Sequence, residues 1–249
     1  MLTQLTATRL REMYLYGMAE ALEEQMEHPA MNAQLSFEDR LSLLVDRELT
    51  YRQHKRVSRL LREAHLRLAA RMEDLDFRVA RGLDRGLMRS LAQGDWIERH
   101  QDVLISGATG VGKTFIACAL TDAACRTGHS AHYFRVPRLL EDLRIAQGDG
   151  SLRRLMAQLA RVEVLVLDDF GLSPLDSPGA RLLLDVVDDR SERRSTIVAS
   201  QLPFGTWHDM IKDVTIADAI LDRWMHRSHH IELRGDSLRR DPPTERQDA

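Results

Sequence analysis

Eight consecutive residues, Gly107-Ala108-Thr109-Gly110-Val111-Gly112-Lys113-Thr114, place three glycines, a lysine and a hydroxyl at the spacing that wraps a phosphate. The glycines let the backbone fold into a nest of N–H groups, and a following helix N-terminus reinforces it. Lys113 is expected to reach the β- and γ-phosphates, and the Thr114 hydroxyl to bind Mg²⁺. The pattern has this meaning only between a strand and a helix. Here an apolar run from Asp102 precedes it and an apolar helical stretch follows. The ligands it implies are ATP and Mg²⁺.

A second constellation lies at Val162 to Asp169, an apolar run that ends in two adjacent carboxylates. In open parallel sheets, ligands bind in the crevice beyond the carboxyl ends of the strands. Asp168 is therefore expected to hold Mg²⁺, usually through water, and Asp169 to orient or deprotonate the attacking water. Taken alone, Asp-Asp-Phe-Gly also reads as a simple turn. An upstream phosphate loop is what favours the metal.

These residues need a scaffold that brings separate strand ends together, and the chain has the pattern for one. Apolar runs near residues 102–106, 130–135, 162–168, 195–200 and 230–233 alternate with helical stretches, which predicts an α/β, doubly wound parallel sheet. We place this domain at 102–240, with a charged connector at 76–101 and a disordered tail at 241–249 around Pro242-Pro243. Trp96, just ahead of the first strand, reads as core or as part of a base pocket. Residues 1–75 show helical spacing and no convincing strand, which predicts a small all-helical domain preceding the P-loop domain. One helix carries Leu10, Met13, Met18, Leu22 and Met26 and stops near His28-Pro29. A second starts at Ser36 with Asp39 completing a capping box. A third from about Tyr51 has an apolar stripe, Val57, Leu61, Ala64, Leu68 and Met72, opposite Arg52, Lys55, Arg56, Arg59, Arg62, Arg67 and Arg71. That basic face reads either as solvated surface or as a contact for nucleic acid.

Composition narrows the field. Hydrophobic residues make up 43% and charged residues 29% of 249, ordinary for a folded soluble domain. No run approaches the roughly 18 apolar residues of a spanning helix and the opening lacks a leader pattern, so a cytoplasmic protein without a membrane partner is expected. Cys118 and Cys125, in one helical stretch, read as reduced packing residues. The net charge of −3 excludes a uniformly basic coat. Of 35 basic residues only Lys55, Lys113 and Lys212 are lysine; the arginine bias suits phosphate contact, and genome base composition also produces it.

The phosphate loop, VLVLDDFG (164–171), STIVASQLP (195–203), ADAILDR (217–223) and GDSLRR (235–240) together resemble the IstB transposition helper ATPases, AAA+ proteins related to the helicase loader DnaC and the initiator DnaA. The likeness extends to the N-terminal segments LTQLTATRLREMYLYGMAEALEEQ and LLVDRELTYRQHKRVSRLLREAHLR, and so spans nearly the whole chain. The phosphate loop is shared with many unrelated proteins; ADAILDR, GDSLRR and the N-terminal segments are far more specific.

This resemblance implies that Gln201 is the first sensor of the γ-phosphate, where asparagine is commoner. It implies that Arg223 is an arginine finger acting on a neighbouring subunit and that Arg239 is the second sensor. Asp169 replaces the commoner glutamate, which implies slow or partner-dependent hydrolysis. The sixteen residues after Leu233 are too few for a helical lid, implying a site shared between subunits of a homo-oligomer. The resemblance further implies assembly with ATP on double-stranded DNA and assistance to a transposase in choosing or remodelling its target. Arg153 and Arg154 sit where related loaders carry a DNA-facing helical element; they read as phosphate contacts or as solvated helix residues. A helicase loader, and a nucleotide-gated DNA scaffold with negligible hydrolysis, remain open alternatives. A small-molecule kinase is the weakest, since nothing outside the ATP site supplies an acceptor pocket.

Overall fold

Alternation of side chains along five apolar runs decides the architecture. In the computed structural model, which describes residues 2–77 and 81–238, they form β1 (Asp102–Gly107), β2 (Ala131–Arg135), β3 (Val164–Phe170), β4 (Ser195–Ser200) and β5 (Ser228–Leu233). All pairings are parallel, in the order β2-β3-β4-β1-β5. Because successive strand residues face opposite sides, Val103, Ile105, Val164, Val166, Ile197 and Ala199 enter one apolar layer. Leu104, Leu165, Leu167 and Val198 enter the other. Both faces are covered by helices, as the near-continuous apolar runs require.

The helices, in chain order, are α1 (Leu2–Glu12), α2 (Tyr16–Glu27), α3 (Pro29–Asn32), α4 (Phe37–Glu63), α5 (Arg85–Gln93), α6 (Asp95–Glu98), α7 (Lys113–Arg126), α8 (Val136–Asp149), α9 (Leu152–Arg161), α10 (Ser177–Arg190) and α11 (Val214–His226). α5 and α7 cover the first layer; α8, α10 and α11 cover the second. The stretch expected to be a connector thus folds into α5 and α6. Asp84 caps α5 through the N–H groups of Gly86 and Leu87, and Gly94 (φ 90°) ends it. Trp96 is buried and donates to the Leu91 carbonyl at 2.9 Å, a core residue. Cys118 and Cys125 are buried on α7, where burial pushes the Cys125 thiol up to about 12.

The compact units run Met1–Arg59 and Leu60–Ala249, whereas the sequence placed the division at about residue 75. In the first unit, two expectations are corrected. The single helix expected before His28 is two, because the chain turns at Tyr14, whose φ is 61°. The second and third expected helices are one continuous α4, since no glycine or proline interrupts them. The capping box is present, with Ser36 Oγ accepting from the Asp39 N–H at 3.1 Å and Asp39 Oδ2 from the Ser36 N–H at 3.3 Å. Gly17 lets α2 approach α4 closely, as a methyl there would lie 2.8 Å from the Glu48 Cα. Glu48 is buried and accepts from the Met18 N–H. Burial opposes its charge, but Arg52 and the N–H groups of Met18 and Gly17 outweigh it and hold the carboxyl below its usual range.

Two charged residues, buried Arg190 and half-buried Asp102, stitch the amino ends of the strands. The Arg190 guanidinium donates to the carbonyls of Leu159, Val162, Glu163 and Ser195. Asp102 Oδ1 accepts from the Thr196 N–H at 2.6 Å. Burial pushes the Asp102 carboxyl up to about 7, against the pull of the Thr196 N–H and the Arg190 charge. Burial lowers Arg190 to about 10, so it stays charged at neutral pH.

Between the ordinary aspartate value near 4 and about 7, folded Asp102 keeps a proton that the unfolded chain has lost. Stability through this group therefore falls as pH rises across that window and is level above it. Asp102→Asn keeps the acceptor without the charge. Denaturant unfolding should show its advantage over the parent growing by on the order of 2–3 kcal/mol between pH 5 and pH 8. A difference independent of pH would mean that Asp102 is not the titrating group.

Candidate nucleotide site

The carboxyl ends of β1, β3 and β4 open onto a cavity of about 470 Å³, within the range of small-ligand sites. Its floor is the loop between β1 and α7. Gly107, Gly110 and Gly112 have φ of 147°, 89° and 103°, conformations that side chains rarely adopt. Neighbours are also close: a methyl on Gly107 would strike the Leu233 carbonyl, and one on Gly110 the Ser237 hydroxyl. The Leu238 N–H donates to the Gly110 carbonyl at 3.0 Å, so the GDSL segment rests on the loop. Val111 anchors the loop in the core. Lys113 Nζ donates to the Ala108 carbonyl at 2.8 Å, folded across the loop.

Two of the expected groups meet at hydrogen-bond distance. Thr114 Oγ1 donates to Asp168 Oδ2 at 2.8 Å. Asp168 is 1% exposed; Oδ2 also accepts from the Tyr133 hydroxyl at 2.6 Å, and Oδ1 from the Asp169 N–H at 2.8 Å. A hydroxyl beside one carboxylate suits a hard divalent cation that takes its other ligands from phosphate and water, so this donor set fits Mg²⁺. Among the described residues no cluster of three acid, histidine or cysteine side chains forms a self-sufficient cage.

Asp169 lies at the cavity wall with φ 59°, a left-handed conformation imposed by the turn into Gly171 (φ 73°). Its Oδ2 accepts from Arg135 Nε at 2.6 Å, and Arg67 NH1 stands 3.7 Å away. The Arg67 guanidinium is held above its usual range by the Tyr133 hydroxyl, against partial burial, with help from Asp169 and Asp168. Gln201 reaches the same cavity, where its Oε1 accepts from Thr109 Oγ1 at 2.7 Å.

Other expected residues lie elsewhere. Arg223 on α11 pairs with Asp188, donates to the Ala219 carbonyl, and lines a separate cavity of about 90 Å³ with His100, Glu192 and Asp222. Arg239 lies outside the described residues, as does the 241–249 tail. Arg153 and Arg154 are exposed on the first turn of α9, just after Gly150. Arg52, Lys55, Arg56 and Arg59 are exposed on α4. Arg52 pairs with Glu48 at 2.7 Å, and Lys55 sits 5.2 Å from the Tyr16 ring centre. The basic face does not continue to Arg67 and Arg71, nor its stripe to Leu68 and Met72. The helix ends at Glu63, and His65 (φ 50°) turns the chain toward the cavity.

Sequence reasoning therefore assigned Arg67 to a helix face and overlooked Tyr133, Arg135 and Arg81. Arg135 stands beside Asp168 in the β2–β3 register, which is visible only once strand order is known. Arg81 is buried, donates to the Val111 carbonyl at 3.3 Å and lines the cavity with Leu68, Phe115 and Leu238.

Fold and cavity together define a P-loop nucleotide-binding domain of the AAA+ type. The family model described as IstB-like ATP binding protein matches residues 8–245, and the chain belongs to this family. It is 47% identical to the insertion sequence ATP-binding protein y4pL of Sinorhizobium fredii over 96% of this chain and 98% of that one. It is 54% identical to the IS1162 insertion sequence ATP-binding protein of Pseudomonas fluorescens over 83% of this chain and 89% of that one. The crystal structure of the DnaC helicase loader shares the fold, with a TM-score of 0.58 at 17% identity, covering 66% of this chain and 97% of that one. The crystal structure of DnaI does so at 0.57 and 19%, covering 71% and 94%.

Replacing Gly110 by alanine tests the loop geometry. A left-handed conformation costs a side chain about 1–2 kcal/mol, and the methyl must also displace Ser237. We expect an unchanged far-UV circular dichroism spectrum and at least roughly tenfold weaker binding of a fluorescent ATP analogue, the equivalent of about 1.4 kcal/mol. Unaltered affinity would show that the loop does not need this shape.

Proposed function

We propose that this chain is an ATP-hydrolysing member of its family that assembles on duplex DNA and assists a transposase in selecting or remodelling its target. What carries the nucleotide part is the meeting of the phosphate loop, the Thr114–Asp168 contact and Asp169 at one cavity. The loop N–H groups and Lys113 would bind the phosphates, while Thr114 and Asp168 would hold Mg²⁺. When bound, that ion would neutralise charge on the β- and γ-phosphates. Gln201 would position the γ-phosphate or the water. Asp169 would orient the water and accept its proton, for which it must exchange Arg135 and Arg67 for that water.

Arg223 lies outside this cavity in its own chain, which supports a role at a neighbouring subunit's phosphates, and Arg239 would act as the second sensor. The DNA and transposase roles rest on the family and on relatives named for insertion sequences. Exposed Arg153 and Arg154 supply cations for DNA phosphates, with Arg52, Lys55, Arg56 and Arg59 as a second patch. The likeness to DnaC is one of fold. Among the described residues no helix is long and apolar enough to cross a membrane.

Two substitutions separate binding from turnover. Lys113→Ala should weaken ATP binding roughly 10- to 100-fold, since charge-assisted contacts are worth about 1.5–3 kcal/mol. Asp169→Asn should bind normally and lose about 10²- to 10⁴-fold in steady-state turnover, the range of a general base. Equal loss of binding in both would overturn the assignment of the acids.

For DNA, Arg153→Ala with Arg154→Ala should weaken binding to unrelated duplexes by similar factors. It should also flatten the salt dependence by about one to two units per subunit engaged, because each phosphate contact releases counterions. DNA-free ATPase activity should hardly move. An unchanged affinity and salt slope would shift the DNA surface to the α4 patch.

A further inference from the structure

We infer that Tyr133, steadied by Arg67, is a positioning residue that orients the Asp168 carboxylate and thereby sets how tightly the site takes up its divalent cation. The inference rests on the nucleotide reading above, and the phosphate-loop and strand-end motifs do not contain it. Asp168 is 1% exposed, so its carboxylate is oriented chiefly by protein donors. A carboxylate offers about four acceptor positions. Three are filled by Thr114 Oγ1 at 2.8 Å, the Tyr133 hydroxyl at 2.6 Å and the Asp169 N–H at 2.8 Å. Of these, the Asp169 N–H is adjacent backbone, and the Thr114 hydroxyl would be called to the cation. The Tyr133 hydroxyl is the side-chain donor free to stay on Asp168 throughout.

The fold supports this role. Tyr133 sits in β2 opposite Val166, two residues before Asp168 in β3, and is 8% exposed. Its N–H donates to the Ala64 carbonyl at 2.9 Å, which docks the chain after α4 along β2 and brings Arg67 to the hydroxyl. The phenolic proton points at Asp168 Oδ2, 2.6 Å away, with the Arg67 guanidinium near the other side of the ring oxygen. Groups that orient a metal ligand from behind typically change metal affinity by about 10- to 100-fold when removed.

The test uses the full-length protein stripped of divalent ions, a fluorescent ATP analogue and a Mg²⁺ titration. Tyr133→Phe keeps the ring and the core. It should leave analogue affinity without Mg²⁺ and the melting temperature near parental values, while the Mg²⁺ concentration that half-tightens analogue binding rises by roughly tenfold. Arg67→Gln, at a 42% exposed side chain, should shift that midpoint in the same direction by a smaller factor and guards against a folding defect in the first variant. If both variants titrate like the parent, Tyr133 does not position the ligand. If the parent shows nucleotide binding indifferent to Mg²⁺, the cation reading of Thr114 and Asp168 fails with it.

Discussion

Burying the Asp168 carboxylate constrains everything near it. A buried charge is tolerated only when fully hydrogen-bonded. Its donors come from three places: the first turn of α7, the middle of β2 and the β3 backbone. They converge only if β2 is the parallel neighbour of β3 and if α7 starts directly beneath the β3 end. The strand order, the glycine conformations that let the loop double back, and the close-packed apolar layers all serve that convergence.

The two ends of the sheet carry opposite assignments. At the amino ends, buried Arg190 and half-buried Asp102 close the strands with hydrogen bonds to backbone groups, an arrangement that offers rigidity. At the carboxyl ends, Lys113, Arg67, Arg81 and Arg135 share one open cavity with Asp169. A ligand bearing several negative charges can compete for those cations. Asp169, tied to Arg135 and Arg67, has a reactivity that depends on which partner holds each arginine.

The Met1–Arg59 unit is built by similar means. Glu48 receives the N-terminal N–H groups of α2 and pairs with Arg52, while Gly17 permits the helices to touch. Basic residues expected only to face outward thus carry internal structure as well. Arg56, Arg59, Arg153 and Arg154 are exposed on the described helices.

Much of this was legible in the residues alone. The phosphate loop, the paired acids, five strands, the parallel class and the capping box at Ser36 follow from local patterns, because glycine spacing, short continuous apolar runs and caps act over a few residues. The ADAILDR and GDSLRR segments carried the family likeness for the same reason. What local pattern could not settle were the length of α4, where a uniform helical signal hid a continuous rod, and the end of its basic stripe, where His65 redirects the chain. Tyr133, Arg135 and Arg67 carry no motif of their own. They become part of the site only because β2 lies beside β3 and the segment after α4 lies along β2, and such long-range pairing is set by the packing of the whole sheet.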